Sequence, residues 1–406
     1  MKFYVKFFLV LLGYLICASV SCSSQSSHNS SSNKRFQETN PYKTIGGEEF
    51  RFIPDSLSAD RKLIAVRSKD ETIKILRLDD EKELCELENS AITKTDDVVL
   101  RKCALSPENR NFVAQIYFPH RKYDEASNFG TSEVWFWSTE SGKLMKKLSV
   151  KNGGGEFQYS ADGSTFVLNY GNDTGINSEI RIYSTQDDKL LQTINTYIFS
   201  TSERRGFEIS PNGEFIASLD QNINIWSGCT SELLFTFKTE PNSIYALLGW
   251  TFSPDSKELI HFNETHIYKH SLETGELNSE QYIFDSYQYM LHPIAFNADG
   301  NLLAVGLSPV GDISFGKWTC RILFFSLETG NYMGDIFVPS DELALFVFSP
   351  DGKYLFTSDY KTLRLYEVPQ LTNSWMEIFK TKQGIPKNIN SNKPSVWTTE
   401  RVQSSG

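Results

Sequence analysis

Seven times in 406 residues the chain repeats one short phrase: an apolar residue, a Ser or Asn, and a polar turn that in most copies contains Asp or Asn and closes on Gly. The copies occupy Leu57–Arg61, Leu105–Asn109, Tyr159–Gly163, Ile209–Gly213, Phe252–Ser256, Phe296–Gly300 and Phe348–Gly352. Each is a chain reversal by its chemistry. Pro presets φ at the second position, Asp or Asn bonds back to the backbone, and Gly tolerates the positive φ that returns the chain antiparallel. The Ser or Asn positions are 48, 54, 50, 43, 44 and 52 residues apart. A period of this size marks stacked small units, although the chain length alone would suggest two or three separate domains.

Every turn is followed by an apolar run, such as Lys62–Val66, Glu214–Ser218, Asn301–Val305 or Lys353–Thr357. A further strand then ends in a large residue: Ile73–Leu76, Val134–Trp137, Ile180–Tyr183, Ile223–Trp226, Ile267–His270, Ile322–Phe325 and Leu363–Tyr366. A second turn and an outer strand come next, as in Glu273–Leu277 and Glu328–Tyr332. The aromatic content of 13%, with 29 Phe and 18 Tyr, suits pleated, half-buried strands. Over roughly residues 42–368 this pattern resembles the WD-repeat family, and the resemblance implies an all-β fold, a seven-bladed β-propeller of four-stranded antiparallel blades. The family's Trp-Asp pair is missing, its second position being held by Arg77, Ser138, Ser184, Ser227, Ser271, Ser326 or Glu367, and no Gly-His dipeptide precedes a first strand. Blade stability is therefore expected from apolar packing between neighbouring sheets. Periplasmic propellers with Pro-Asp-Gly turns are a comparable match.

A ring must close, because an open blade leaves strand edges unpaired. The last repeat runs through Val368 without an evident outer strand, whereas Tyr42–Gly46 reads as one. That segment is expected to complete the seventh blade; the competing closure uses Trp375–Phe379.

The amino terminus has the order of a secretory signal: Lys2 and Lys6, an apolar run from Phe7 to Ile16, then Ala18, Ser19 and Ser21. Its apolar core is short for a spanning helix, which needs about 20 residues, so export is expected ahead of an uncleaved anchor. Cys22 follows Ser21 and opens a Ser- and Asn-rich stretch, which resembles a bacterial lipoprotein processing site; Ser19 stands where that pattern prefers a large aliphatic residue. Acylation of Cys22 and plain cleavage near Ser21 are both open. The expected organisation is a signal peptide at 1–21, a flexible tether at 22–40, the propeller at 41–379 and a loosely ordered tail at 380–406.

A formal charge of −10 disfavours nucleic acid and anionic lipid as general partners, leaving membrane contact to an amino-terminal lipid. Several fragments mimic chemical motifs and are discounted. Gly311–Lys317 follows the phosphate-binding loop, but Trp318 replaces the Ser or Thr that would hold magnesium. His261, His266 and His270 crowd one hairpin, yet His270 occupies the large-residue position and reads as packing. Asn172–Glu179 lacks the ordered alternation of a calcium loop. Cys85, Cys103, Cys229 and Cys320 form no C-x-x-C pair and read as free thiols. No cofactor, metal or catalytic residue is expected.

The long insertions, Pro119–Thr131, Gly171–Asn177 and Ser308–Lys317, each join the second and third strands of a blade, which places them on one face. Loops on a rigid scaffold concentrate binding residues, and aromatic and Arg side chains anchor most interfaces. The expected partner-binding residues are Arg121, Lys122, Tyr123, Phe129, Arg204, Arg205, Asp312, Phe315 and Trp318. The expected function is a monomeric, non-catalytic scaffold of the cell envelope that binds a protein. The alternative is a propeller enzyme of the lactonase, lyase or hydrolase kind acting on a small polar substrate at the central opening.

Overall fold

A computed structural model describes residues 40–369, apart from 47–49, 54–55, 91–97, 123–129, 151–153, 172–177, 197–205, 221, 239–248, 263–265, 283–288, 298, 310–318, 330, 340–344 and 359–360, together with residues 398–401. Strand β1 (Lys43–Gly46) precedes blade 1, formed by β2 (Phe50–Phe52), β3 (Leu63–Ser68), β4 (Ile73–Arg77) and β5 (Glu83–Glu86). Blade 2 holds β6 (Val99–Leu105), β7 (Asn111–Lys122), β8 (Gly130–Ser138) and β9 (Leu144–Val150). Blade 3 holds β10 (Phe157–Tyr159), β11 (Thr165–Asn169), β12 (Ser178–Ser184) and β13 (Leu190–Thr196). In blade 4 lie β14 (Phe207–Ile209), β15 (Phe215–Leu219), β16 (Ile223–Ser227) and β17 (Leu233–Lys238). Blade 5 contains β18 (Gly249–Phe252), β19 (Glu258–Phe262), β20 (His266–Ser271) and β21 (Leu277–Tyr282). Blade 6 contains β22 (Tyr289–Phe296), β23 (Leu302–Pro309), β24 (Thr319–Ser326) and β25 (Tyr332–Pro339). Among the described residues the chain then supplies β26 (Leu345–Phe348), β27 (Tyr354–Ser358) and β28 (Thr362–Glu367) to blade 7. The result is an all-β, seven-bladed propeller.

The missing outer strand of blade 7 is β1, which pairs antiparallel with β28 from Lys43↔Leu365 to Gly46↔Thr362. The first strand of the ring thus latches its last blade, and Ile45 is buried behind it against Phe52, Ile64 and Phe356. Trp375–Phe379, the competing closure, lies outside the described residues. Within the tail expected to be loosely ordered, Thr398–Arg401 form a strand, β29, that pairs antiparallel with the outer strand β17 of blade 4.

Apolar packing divides along the blade seams. Among the described residues seven buried clusters are present, and each one joins side chains of two neighbouring blades, from Leu63, Ile75, Phe112 and Trp135 between blades 1 and 2 to Ile45, Phe52, Val66 and Leu363 between blades 7 and 1. Burial of these sheet faces is the main stabilising term, at about 25 cal/mol for each Å² of apolar surface.

The seven turns share one hydrogen-bond scheme. At position zero the Ser or Asn side-chain oxygen accepts the N–H five residues on, as in Ser58–Leu63 (2.9 Å), Ser106–Asn111 (3.0 Å), Ser160–Thr165 (3.0 Å), Ser210–Phe215 (2.9 Å), Ser253–Glu258 (2.9 Å), Asn297–Leu302 (2.9 Å) and Ser349–Tyr354 (3.0 Å). Where Asp follows two residues later, the serine hydroxyl donates to it, at 2.7 Å in Ser58–Asp60 and 2.6 Å in Ser253–Asp255 and Ser349–Asp351. These serines are buried, so the bond satisfies a hydroxyl that would otherwise be costly to desolvate. The second strand of every blade consequently starts five residues after its turn serine or asparagine.

Candidate functional site

Strands alternate in direction across each blade. The connections between second and third strands therefore emerge with the blade-to-blade connections on one face, and the seven Ser or Asn turns occupy the opposite face. The three long insertions do join β7 to β8, β11 to β12 and β23 to β24. Because all second strands begin in the same register, their length measures how far each rises on the loop face. β7 has 12 residues where β3 has 6, β23 has 8 and β11, β15, β19 and β27 have 5. Three of those 12 residues, 119–121, fall in a register shift, so the β7–β8 ladder has nine residue pairs against five in β3–β4 and in β11–β12 and overtops these neighbours by about 13 Å at about 3.3 Å per residue. A register shift between Phe118 and Lys122, at Pro119, marks where the hairpin leaves the body of the blade.

Arg121 and Lys122 end β7, and Lys122 pairs with Gly130 at the described top of the hairpin. Tyr123, Phe129, Arg204, Arg205, Asp312, Phe315 and Trp318 lie outside the described residues, as do Cys22 and the Gly311–Lys317 fragment.

The rim beneath the loops carries two Arg–Tyr stacks that the one-dimensional reading missed. The Arg101 guanidinium lies 3.6 Å from the centre of the Tyr117 ring in blade 2, and that of Arg181 lies 3.4 Å from the Tyr170 ring in blade 3. Arg181 also donates from Nε and Nη2 to one Glu179 carboxylate oxygen, at 3.1 and 2.8 Å. Burial alone would lower the Arg181 value, but Glu179 and Tyr183 outweigh it and hold the value up. Tyr117 and Tyr170 closely precede the insertions Pro119–Thr131 and Gly171–Asn177. Arg over a tyrosine face presents a preorganised cation and a flat apolar surface together. Sequence spacing gives no sign of either stack, since Arg101 and Tyr117 come from different strands.

The histidines separate. His261 of β19 and His270 of β20 are buried with their Nε2 atoms 3.0 Å apart, and His270 packs 4.3 Å from the Phe237 ring of blade 4. His266 is part-exposed. Burial pushes His270 down to about 4, while His261 falls well below the ordinary imidazole range because it is buried and faces the charge His270 would carry. In blade 4 the same two positions hold Trp226 and Ser218, bonded at 2.9 Å, so the pair is the local form of a bond between second and third strands. Among the described residues, no three His, Cys, Asp or Glu side chains converge as metal ligands do. Among the described residues, Cys85, Cys103, Cys229 and Cys320 form no disulfide.

The sequence matches no protein-family model and no curated protein.

Proposed function

We propose that this propeller is an interaction platform whose long-loop face docks a protein partner, with the β7–β8 hairpin as its principal grip. The observation that carries this reading is the overgrowth of that hairpin above a rim bearing the Arg101–Tyr117 and Arg181–Tyr170 stacks. A projecting hairpin offers shape, the Arg101 guanidinium a cationic anchor and the Arg181–Glu179 pair stacked on Tyr170 a flat polar surface, in a chain whose net charge is −10. The turn pattern supports kinship with divergent WD-repeat or periplasmic propellers. Lys2, the Phe7–Ile16 run and Cys22 support export, with the ring tethered to a membrane or released.

The test is affinity capture after in-cell cross-linking, with the full-length protein compared with a variant lacking residues 120–130 and with an Arg101→Ala/Arg181→Ala variant. Loss of a specific cross-linked neighbour from both variants, at unchanged thermal midpoint, is expected. Identical neighbour sets for all three proteins would remove the reading. The mass of the mature amino terminus decides the tether: an acylated Cys22 is a lipid anchor, and an unmodified residue is a released protein.

A further inference from the structure

A cavity of about 480 Å³ opens on the turn face at the seam where blade 1 meets the latched blade 7. Its walls are Ile45 of β1, Leu63 and Leu78 of blade 1, and Phe356 and Leu365 of blade 7, and this volume is within the range of about 300–1,000 Å³ usual for small-molecule sites. Arg61, Lys43, Lys62 and Arg77 also line it, against the carboxylates of Asp60 and Asp79.

Those charges are not equivalent. Arg77 is taken by Asp80 at 2.8 Å, and Lys62 reaches Asp60 at 3.8 Å. Asp60 is itself occupied, accepting from the Ser58 hydroxyl at 2.7 Å and from the Asn109 amide at 3.0 Å. Arg61 is part-buried, and its Nε and Nη1 donate to the backbone carbonyls of Phe348 and Ser58, both at 2.9 Å. Among the described residues no carboxylate forms an ion pair with it. Burial draws the guanidinium down to about 10 in spite of nearby Asp60. Four of the seven turns have Gly at this position, whereas here the chain holds Arg at φ 59°. A left-handed Arg carries a backbone penalty that glycine escapes. Lys43, two residues before Ile45 and so on the same face of the latch strand, is exposed and, among the described residues, has no carboxylate within ion-pair distance.

We propose that the cavity between blades 7 and 1 binds a small amphipathic anion, its carboxylate or phosphate held by Arg61 and Lys43 and its apolar body lying against Ile45, Leu78, Phe356 and Leu365. Charge-assisted bonds to a part-buried guanidinium are among the stronger polar contacts available. Because Lys43 belongs to the latch and Arg61 to blade 1, the ligand ties the two ends of the ring together and stabilises its closed form.

Octanoate and octyl phosphate serve as probes, and octylamine as the cationic control with the same tail. Titration calorimetry on the full-length protein is expected to give one site per chain for at least one anion, which also raises the thermal midpoint, with no binding of octylamine. Arg61→Gln is expected to weaken that binding about tenfold and Lys43→Glu about threefold. Lys43 is exposed, so Lys43→Glu decides the matter alone if Arg61→Gln does not fold. Binding of octanoate only, or of octyl phosphate only, assigns the head group and supports the site. Failure of both anions to bind, equal binding of octylamine, or unchanged affinity in the folded variants would overturn it.

Discussion

The fourth residue of each turn is left-handed in all seven blades, with φ between 58° and 75° at Arg61, Asn109, Gly163, Gly213, Ser256, Gly300 and Gly352. The same residue touches the turn of the preceding blade. A Cβ on Gly300 would lie 2.9 Å from Pro254 Cδ, and one on Gly352 3.3 Å from the Asn297 amide. Where glycine is replaced, the new side chain bonds across the same gap: Arg61 to Phe348, Asn109 to Asp60, and Ser256 Oγ accepting the N–H of Asn212 at 3.1 Å. Gly300→Ala is therefore expected to lower stability by about 2 kcal/mol, from the left-handed backbone and the contact with Pro254 together, read as a fall in the thermal midpoint. The buried histidines belong to the same scale. An unfolded chain protonates them near pH 6.5, but burial in the folded ring lowers both, His270 down to about 4 and His261 well below the ordinary imidazole range. Between about pH 6.5 and 4 the unfolded state binds a proton at His270 that the folded state refuses, so its contribution is fully present above that window and is lost as pH falls through it, on the order of 1 kcal/mol per pH unit, and His261 acts in the same direction. Copying the Trp226–Ser218 pair of blade 4 into blade 5 as His261→Ser/His270→Trp should flatten the midpoint across this range. An unchanged acid slope would assign the loss to other groups.

At the scale of elements, the two terminal strands differ in what they cover. β1 completes a blade and buries Ile45 at the 7–1 seam, with Tyr42 N–H donating to Leu365 at 2.7 Å and the Tyr42 ring 4.8 Å from that of Tyr354. β29 adds a fifth strand outside β17, with four residue pairs. Deleting residues 40–46 should lower the thermal midpoint by more than about 5 °C, because it unpairs β28 and uncovers Phe52, whereas ending the chain before Thr398 should move it by under about 2 °C. Equal effects would mean that the latch is no more than an added edge strand. The contrast also marks what a one-dimensional reading captures. β1 was legible because an apolar Ile45 stands before the first turn and the last repeat is one strand short; Thr398–Arg401 are all polar and are separated from β28 by 30 residues, so nothing in their pattern announces a strand or its partner. The turns were legible because their hydrogen bonds are local. The Arg–Tyr stacks and the Arg61 bridge were not, because their partners are brought together only by strand pairing or by the 287-residue closure.

The whole ring behaves as seven sheets, each held by the apolar cluster on either side, so its integrity depends on the last seam as much as on the first six. That seam joins segments from opposite ends of the chain, and it is where Arg61 and the basic cavity lie. The strand order of blade 7 also makes the closure transferable. β28 and β1 are antiparallel neighbours, and the end of β28 lies beside the start of β1, as the Lys43↔Leu365 pairing shows. A third-to-fourth-strand turn such as Leu272–Glu276 could span that gap, since it makes the same connection between β20 and β21. A circular permutant that begins at Phe50, runs through Pro369 and continues by a copy of Leu272–Glu276 into residues 40–46 is accordingly expected to fold to the same all-β circular dichroism spectrum. It should unfold in one transition within about 5 °C of the parent, because it keeps the four strands of every blade and, apart from the loss of β29, changes only how the last strand is connected. Two separated transitions, or a midpoint as low as that of the 40–46 deletion, would show that the ring needs its latch delivered from the amino-terminal side, and that closure is part of how the chain folds as well as of what it folds into.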